Sequence, residues 1–373
     1  MAIDPPPLAK HRRVVLVRGD APAHSHDVQT KASLAASLAR LLDADYAGSV
    51  DARRDAVGGA YAVPCQTLTQ HEASRLGIGG VHDLFGGVVP QPFVATKTIT
   101  HALVAPDARA PQGWQRRFAE RVGRVVLEGY SAFSAADAQR ACEQLLRGGP
   151  VRIKDADGVG GAGQAVVNDL PQFDAWLTSR RCGEPWQGGV VLERNLSRVH
   201  TVSVGQVRVG AWLLSYHGEQ RLTSDHAGQP VYGGSSLHLV RGGFAALLHE
   251  PMPDALRMAI QQALVYHRAA LEFKGLFASR SNYDVVQGWD DDGVWRSGVL
   301  EQSWRIGGAS GAEIAALHAF REQPALRWVD ASTHESYADA AAPPPGAQVH
   351  FDGHDAQSGR LLKYALVQAH GDA

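Results

Sequence analysis

Short apolar runs and helix-spaced leucines alternate along the first hundred residues of the chain. The run "RRVVLVRGD" (12–20) predicts a buried strand, and Leu34, Leu38 and Leu41 recur at helical spacing in the segment after it. The segment from Tyr46 to Pro92 is rich in Gly, Asp and Pro, and its run "GIGGVHDLFGGVVPQPF" (77–93) predicts loops with one short apolar strand. A strand followed by a helix indicates a small α/β unit at the N-terminal end.

The middle of the chain predicts a helix, a strand and a second helix, followed by two strands that a glycine-rich loop joins. Ser134 and Asp137 form a predicted capping pair for the helix that runs to Gly148. The stretch "VRIKDADGVGGAGQAVV" (151–167) then gives strand, loop and strand, and Asp169 is the predicted N-cap of the next helix.

Strands dominate the second half of the chain. "GGVVLERNL" and "HTVSVGQVRVGAWLLSY" predict successive antiparallel strands, and "NYDVVQGWDDDGVWRSGVLEQS" predicts a hairpin with an Asp-Gly turn. Between them, "PDALRMAIQQALVYHRAALEFKG" predicts a long helix that begins after a proline and ends before Gly275. The residues after "APPPG" predict a short β-rich appendage or arm.

Composition narrows the class of protein. The 373 residues are 45% hydrophobic, and 36 basic against 38 acidic side chains leave a net charge of -2 with no long run of one sign, so nucleic acid is not an expected partner. Cys65, Cys142 and Cys182 lack the spacing of a zinc site or a disulfide framework. The sequence begins without the pattern of a signal peptide and contains no apolar run of membrane-spanning length, so we expect a cytoplasmic protein without a membrane partner.

The glycine-rich loop is the first candidate for chemistry. Its lysine, Lys154, precedes Gly158, Gly160, Gly161 and Gly163, so the loop matches neither a Walker phosphate loop nor the dinucleotide-binding fingerprint. Backbone N–H groups without side chains can nevertheless converge on an anion, with the lysine supplying a charge; the alternative is a flexible hairpin. Only six of the 36 basic residues are lysine, so an incidental surface charge at this position would more often be arginine.

The order of motifs around this loop resembles the ATP-grasp superfamily. Its members present a first lysine, a second lysine before a glycine-rich flap, a Glu-x-x-Leu hinge, and two metal ligands on antiparallel strands. The matching segments here are "ATKTITHALV", "VRIKDADGVGGAG", "VVLERNL", "FKGLFASRSNYDVV" and "GVLEQSWRIGG". The resemblance extends over most of the chain between Lys97 and Arg305.

The resemblance implies a role for each matching residue. Phosphates would be held by Lys97 and Lys154, beneath a lid formed by Gly158, Gly160, Gly161 and Gly163. The adenine would lie against Glu193, Arg194 and Leu196, and the ribose position holds His200. Magnesium would bind Asp284, Glu301 and Ser303, while Arg305 and Arg280 would stabilise the transferred phosphoryl group or the substrate carboxylate. Lysines and backbone donors suit the phosphate charges, and carboxylates suit Mg²⁺, which prefers oxygen ligands.

Two positions depart from the family pattern. His200 stands where the family usually carries a ribose-binding glutamate, and Ser303 stands where the last motif, Glu-x-Asn, carries its asparagine. An imidazole offers one hydrogen bond instead of a bidentate carboxylate, and a serine hydroxyl has a shorter reach than an asparagine amide.

Plain structural roles remain open for several of these residues. Lys97 alone reads as a solvated surface lysine, Asp284 as a charge on an edge strand, and Glu193 as an exposed strand residue. Glu301 could form a cross-strand ion pair with Arg305 or Arg296.

We therefore expect an α/β (α+β) protein with the ATP-grasp fold and an N-terminal pre-ATP-grasp α/β domain. The expected divisions are 1–94, the N-terminal domain; 95–187, the lobe with the glycine flap; 188–330, the lobe with the hinge and metal site; and 331–373, the appendage. The expected function is ATP- and magnesium-dependent ligation, in which a carboxylate is activated as an acyl phosphate and attacked by an amine or thiol. The alternatives are a catalytically weakened ATP-binding sensor or scaffold, and an ATP-grasp phosphotransferase. The expected partners are small-molecule carboxylates and amines, with a homodimer left open.

Overall fold

The computed structural model describes residues 11–19, 24–158, 163–179 and 185–371. The chain begins with an α/β unit whose three-stranded parallel sheet has the order β2-β1-β3. Ser25 starts the first helix because its side chain accepts a hydrogen bond from the Val28 N–H at 3.4 Å. Leu34, Leu38 and Leu41 are buried, as their spacing predicts. The elements are β1 (Arg13–Arg18), α1 (His26–Leu41), β2 (Asp45–Asp51) and β3 (Tyr61–Pro64).

A short segment connects this unit to the rest of the chain. It contains β4 (Leu68–Thr69), α2 (Gln70–Leu76) and β5 (Gly87–Val89), followed by two 3-10 turns, Pro92–Ala95 and Lys97–Thr100. Thr69 and Glu72 form a capping box at the start of α2. The strand β5 is the short apolar strand that the sequence predicts in this region.

A second sheet, with the order β6-β7-β10-β8-β9, carries the glycine-rich loop between β8 and β9. The Ser134 hydroxyl oxygen accepts from the Asp137 N–H at 3.1 Å, and Asp169 accepts from the Gln172 N–H at 2.8 Å, so both predicted caps are present. The elements are β6 (Ala102–Leu103), α3 (Arg116–Val122), β7 (Gly129–Ala132), α4 (Ala135–Leu145), β8 (Val151–Asp155), β9 (Gln164–Val167), α5 (Leu170–Ser179), α6 (Pro185–Gly188) and β10 (Val190–Arg194).

The largest sheet is antiparallel and has the order β16-β15-β11-β12-β13-β17-β19-β18. The long helix α8 begins after Pro253 and ends at Ala270, before Gly275, and it packs on one face of this sheet through Ile260 and Tyr266. The elements are β11 (Ser197–Val209), β12 (Trp212–Ser224), β13 (Pro230–Arg241), α7 (Phe244–Leu248), α8 (Asp254–Ala270), β14 (Phe277–Ala278), β15 (Arg280–Trp289), β16 (Trp295–Ser303), α9 (Ser310–Glu322), β17 (Trp328–Ser336), β18 (Gln348–Asp355) and β19 (Gly359–Gly371).

The last strands are continuous with this sheet and do not form a separate appendage. β17 pairs with β13, and β19 pairs with β17, so the described part of the predicted appendage, residues 331–371, extends the sheet that carries Asp284. One hydrophobic core joins Leu16 of β1, Leu38 of α1, Phe320 of α9 and Val329 of β17. The N-terminal unit and the C-terminal strands therefore stabilise each other.

A search of the described residues for a helix that could span a membrane finds none with the necessary length and apolar character.

Candidate functional site

A cleft of about 450 Å³ lies where the first 3-10 turns, the end of β8 and the end of β16 meet. It collects five of the residues that the sequence predicts for the site: Lys97, Gly158, Glu301, Ser303 and Arg305. It also exposes polar side chains that the sequence motifs did not indicate: Gln66, Thr67 and Asp157. Residues from distant parts of the chain thus form a single polar wall.

Lys97 contacts two other residues of this wall. Its side chain is buried, and Nζ lies 2.9 Å from Glu301 Oε2 and donates to the Gly158 carbonyl at 2.6 Å. Lys97 is therefore not a solvated surface lysine. Glu301 pairs with Lys97 instead of Arg305 or Arg296, and the Arg296 Nε binds Asp290 Oδ2 at 2.8 Å.

Asp284 and Glu301 face each other across β15 and β16. Asp284 Oδ1 accepts hydrogen bonds from the Ser203 hydroxyl at 2.8 Å and the Asn282 amide at 2.9 Å, and the Gln220 amide donates to its Oδ2 at 3.2 Å. Burial and the charge of Glu301 nevertheless raise the pKa of Asp284. A cation between the two carboxylates would relieve this repulsion.

The donor set fits Mg²⁺ bound partly by phosphates. No group of three or more His, Cys, Asp and Glu side chains suited to a metal occurs in the described part of the chain. Mg²⁺, however, commonly uses one or two carboxylates together with substrate phosphates and water. Asp284 and Glu301 supply such a pair.

Ser303 lies at the end of β16, directly opposite Asn282 of β15. Its Oγ is 3.4 Å from Nη1 of Arg280. The asparagine that the family motif places on the Ser303 strand is thus missing, but an asparagine amide stands on the paired strand. Only the strand register reveals this position, because the two residues are 21 apart in sequence.

Lys154 and Glu193 form a second, enclosed ion pair behind the cleft. The Lys154 Nζ lies 2.5 Å from Glu193 Oε1, and the His101 Nε2 lies 3.2 Å from the other carboxylate oxygen. Burial alone would raise the pKa of Glu193, but Lys154 and His101 outweigh burial and lower it to about 2. Glu193 is buried, not an exposed strand residue, and both oxygens of its carboxylate have partners.

His101 is a residue of this cluster that the motifs did not indicate. It follows the 3-10 turn that carries Lys97, and its ring lies against Gly129 of β7. A Cβ on Gly129 would come within 2.9 Å of the His101 ring, so a glycine is needed there for the ring to reach Glu193.

The residues after Glu193 point in different directions. Leu196 packs in a small, buried apolar cluster with Leu127, Val286 and Leu300. The Arg194 side chain points to the opposite face of the strand, where its Nε donates to Glu128 Oε2 at 3.1 Å. Its backbone N–H donates to the Glu128 carbonyl at 2.9 Å, so that donor is not available for the adenine contact that the family resemblance implies.

His200 does not reach the cleft, which corrects its predicted placement at the ribose. It pairs in register with Gln287, which lies three residues from Asp284 on β15 and therefore on the opposite face of the sheet. The Gln287 amide donates to the Ala255 carbonyl of α8, which identifies that face. His200 is 51% exposed there, with Nε2 3.3 Å from Glu219.

Arg280 also has a different role from the predicted one. Its guanidinium is fully buried, and Nε and Nη2 donate to Glu313 Oε1 at 3.1 and 2.8 Å. Nη1 donates to the Arg305 carbonyl at 2.8 Å and approaches Ser303. Because its donors are committed within the protein, Arg280 supports the chain segment of Ser303 and Arg305 and does not line the cleft.

Arg305 is the basic side chain of the cleft that lacks a carboxylate partner within the described ranges. Its Nη1 donates to the Ile306 carbonyl at 3.2 Å. Burial and the neighbouring charge of Arg280 lower the pKa of Arg305. A partly buried cation without a counterion favours an anionic ligand.

The described ends of the glycine loop meet the cleft. Gly158 contributes its carbonyl to Lys97, and Gly163 has a φ of +71°. A Cβ on Gly163 would lie 2.7 Å from the Asp155 carboxylate, so both backbone conformation and space favour glycine. Gly160 and Gly161 lie outside the described residues.

Comparison with known proteins agrees with this architecture. The family described as "Protein of unknown function (DUF3182)" matches residues 14–365. The chain belongs to this family. No curated protein matches the sequence of this DUF3182 member.

Similarity to a solved structure shows which fold this family member has. Phosphoribosylamine–glycine ligase from Thermotoga maritima has 14% identity and a TM-score of 0.53, covering 97% of this chain and 92% of its own. D-alanine–D-alanine ligase from Bacillus anthracis has 12% identity and a TM-score of 0.48, covering 83% of this chain and 92% of its own. The DUF3182 chain has the mixed α/β architecture of the ATP-grasp fold, as the sequence predicts.

Proposed function

We propose that this protein is an ATP-dependent ligase that activates a carboxylate as an acyl phosphate for attack by an amine. The observation that carries the proposal is the cleft in which Lys97, Glu301 and Arg305 converge, with Asp284 directly opposite Glu301. Its volume, about 450 Å³, lies within the range of small-molecule sites, about 300–1,000 Å³. The fold likeness to a ligase agrees with this reaction class.

The residues divide the work by charge. Lys97 is released from Glu301 when it binds phosphate oxygens, and Glu301 with Asp284 would then hold Mg²⁺, with Ser303 and Asn282 beside them. Bound magnesium would offset the phosphate charge. Arg305 binds the substrate carboxylate or the transferred phosphoryl group.

Lys154 is the second lysine that we assign to the nucleotide site. Lys154 and Glu193 lie on the adjacent strands β8 and β10, and the glycine loop follows β8. We expect Lys154 to present its remaining donors to the nucleotide while Glu193 fixes its position. The loop from Gly158 to Gly163 would close over the phosphates and exclude water, which would otherwise hydrolyse an acyl phosphate.

In the proposed reaction, a carboxylate oxygen of the acid attacks the γ-phosphorus and ADP leaves. The amine then attacks the acyl carbon and expels inorganic phosphate, forming an amide. A thiol acceptor would follow the same sequence and form a thioester. The products are ADP, phosphate and the ligated acid.

Nucleotide titration tests the first part of this proposal. We expect MgATP to raise the midpoint of thermal unfolding of the full chain, and ATP with EDTA to raise it less. Asp284→Asn should remove most of the difference between the two conditions, while Asp330→Asn serves as a matched control on another strand. No stabilisation by ATP under either condition would refute the proposal.

A second candidate function is that of an ATP-binding sensor or scaffold with weakened catalysis. The observations that favour it are the position of His200 on the α8 face and Ser303 in place of an asparagine. ADP release with a panel of acids and amines separates the two candidates. Release that requires both an acid and an amine favours the ligase, whereas tight MgATP binding without turnover favours the sensor.

A further inference from the structure

Buried lysines mark two places in this protein, and only one is the predicted nucleotide site. Four of the five lysines in the described residues are between 4% and 9% exposed: Lys31, Lys97, Lys154 and Lys363. Lysine is rarely buried without a reason, because desolvation of its ammonium group is costly. The positions of Lys31 and Lys363 therefore need an explanation of their own.

Each of these two lysines has a carboxylate partner. Lys31, on α1, places Nζ 2.7 Å from Asp27 Oδ2, and Lys363, on β19, places Nζ 2.9 Å from Glu335 Oε1. The first turn of α1 packs against the C-terminal strands, where the His26 N–H donates to Asp355 Oδ2 of β18 at 3.0 Å. Burial and the charge of Lys363 lower the pKa of His26, the first residue of α1.

Two arginines at the adjoining strand ends add further positive charge. Arg18 ends β1, and its Nε is buried without a hydrogen-bond partner in the described part of the chain. Cys65, which follows β3, donates its N–H to the Val17 carbonyl at 2.9 Å, so the ends of β1 and β3 are neighbours. The next residues, Gln66 and Thr67, line the cleft together with Arg305.

The loop after Arg305 continues this wall toward Lys363. A Cβ on Gly308 would lie 2.5 Å from the Tyr232 ring, which fixes that loop against β13. The Tyr232 hydroxyl is 3.2 Å from Thr333 Oγ1, and Thr333 lies two residues before the partner of Lys363 on β17. The wall from Arg305 to Lys363 is thus continuous.

Asp27 connects the same groups electrostatically. Burial lowers the pKa of Arg305 and raises those of Cys65 and Glu335, and the Asp27 carboxylate acts on all three in addition. These side chains therefore surround one region that adjoins the cleft.

Two of the basic side chains in this region have no carboxylate ion-pair partner among the described residues. The basic cluster consists of four side chains: Arg18, Lys31, Arg305 and Lys363. Two carboxylates, Asp27 and Glu335, pair with the lysines, and no carboxylate of the described residues forms an ion pair with either arginine. Two basic side chains are thus left without a carboxylate: Arg305, proposed to bind the reactive carboxylate, and Arg18, which remains for a further anion.

We propose that the basic cluster binds a second anionic group of the acid substrate, so that the protein selects acids with two anionic groups over monocarboxylates. This inference rests on the proposed function, since it assigns the reactive carboxylate to the cleft at Arg305. The second group, a carboxylate or a phosphate, lies toward Arg18 and Lys363.

Ligand-dependent thermal unfolding of the full chain tests this selection, with and without MgATP. The probes are succinate, phosphoglycolate and butyrate, which represent a dicarboxylate, a phosphorylated acid and a monocarboxylate. We expect succinate or phosphoglycolate to stabilise the protein at concentrations at which butyrate has no effect. The stronger of the two identifies the second group as carboxylate or phosphate.

Arg18→Gln is the main variant because it removes a charge without leaving a carboxylate unpaired. Its affinity for the preferred dianion should fall by about tenfold or more. Lys274→Gln, which removes the charge of an exposed lysine, should bind as the wild type does. Lys363→Gln combined with Glu335→Gln provides a second variant, in which no buried charge is left unpaired.

Equal stabilisation by succinate and butyrate would overturn the inference, and so would equal dianion affinity of Arg18→Gln and Lys274→Gln. Stabilisation by none of the three acids would also overturn it. The outcome for MgATP is separate: a protein that binds the dianion through Arg18 but does not bind ATP would refute the proposed ligase and retain the basic cluster.

Discussion

The ion pairs of Lys154 and Lys97 differ in how far they are open to a ligand. Lys154 and Glu193 are both buried, and His101 takes the second carboxylate oxygen. Lys97 is equally buried, but the side chain of its partner, Glu301, is 36% exposed and lines the cleft. We call the first pair closed, because both of its side chains are buried, and the second open, because its carboxylate is exposed to the cleft.

This difference indicates two distinct roles for a lysine–glutamate ion pair. A closed pair lies in a medium of low effective dielectric, so breaking it leaves a costly uncompensated charge. An open pair can exchange partners, because water, a cation or a phosphate can replace either side chain. We infer that the Lys154 pair stays intact and fixes the position of Lys154, and that the Lys97 pair exchanges when nucleotide and magnesium bind.

The largest expected effect comes from opening the closed pair. Lys154→Met should lower the free energy of unfolding by about 3–5 kcal/mol, because it leaves Glu193 buried with His101 as its remaining partner. Urea denaturation at pH 7 measures this change. Lys154→Met with Glu193→Gln should recover much of the loss, and equal losses in the single and double variants would show that the ion pair is not the cause.

The contribution of the same ion pair to stability should depend on pH. The folded pKa of Glu193 is about 2 against an ordinary value of 4.5, so its stabilising contribution is complete above pH 4.5 and is lost as pH falls toward 2. The loss for this carboxylate would be about 3 kcal/mol, since one pKa unit corresponds to about 1.4 kcal/mol.

The pH dependence of unfolding tests that contribution directly. The free energy of unfolding of the wild type should fall more steeply between pH 4.5 and 2 than that of Lys154→Met with Glu193→Gln. Parallel curves for the two proteins would contradict a strongly lowered pKa of Glu193.

The open pair should respond in binding more than in stability. Lys97→Met should weaken MgATP binding by about ten- to a hundredfold, because a hydrogen bond to a charged group contributes about 1.5–3 kcal/mol. Its stability should fall less than that of Lys154→Met, since Glu301 faces the cleft and can be hydrated. Calorimetric titration with MgATP measures the affinity, and Lys274→Gln is the control for loss of a lysine charge. An unchanged affinity would remove Lys97 from the nucleotide site.

The sequence indicated much of this arrangement, because its motifs occur along the chain in the order of the ATP-grasp motifs. Lys97 and Glu301 could be selected for that reason, and the structure brings them to 2.9 Å. His200 could not be placed correctly, since the register shift in β11 between Ser197 and His200 determines its face. Arg280 could not either, because its partner, Glu313, lies on a helix 33 residues further along the chain.

The smallest effect is expected at Arg194, the immediate neighbour of Glu193 on β10. Consecutive residues of a strand point to opposite faces, so the Arg194 side chain turns away from the closed pair and binds Glu128, whose side chain is 56% exposed. Because the exposed Glu128 carboxylate stays hydrated without its partner, Arg194→Gln should lower the free energy of unfolding by about 1 kcal/mol or less and should leave MgATP affinity unchanged. Urea denaturation and calorimetric titration of this variant measure both quantities. If MgATP affinity instead falls as far as in Lys97→Met, the side chain of Arg194 must turn into the nucleotide site, and the closed pair beside it would be as open to ligand as the Lys97 pair.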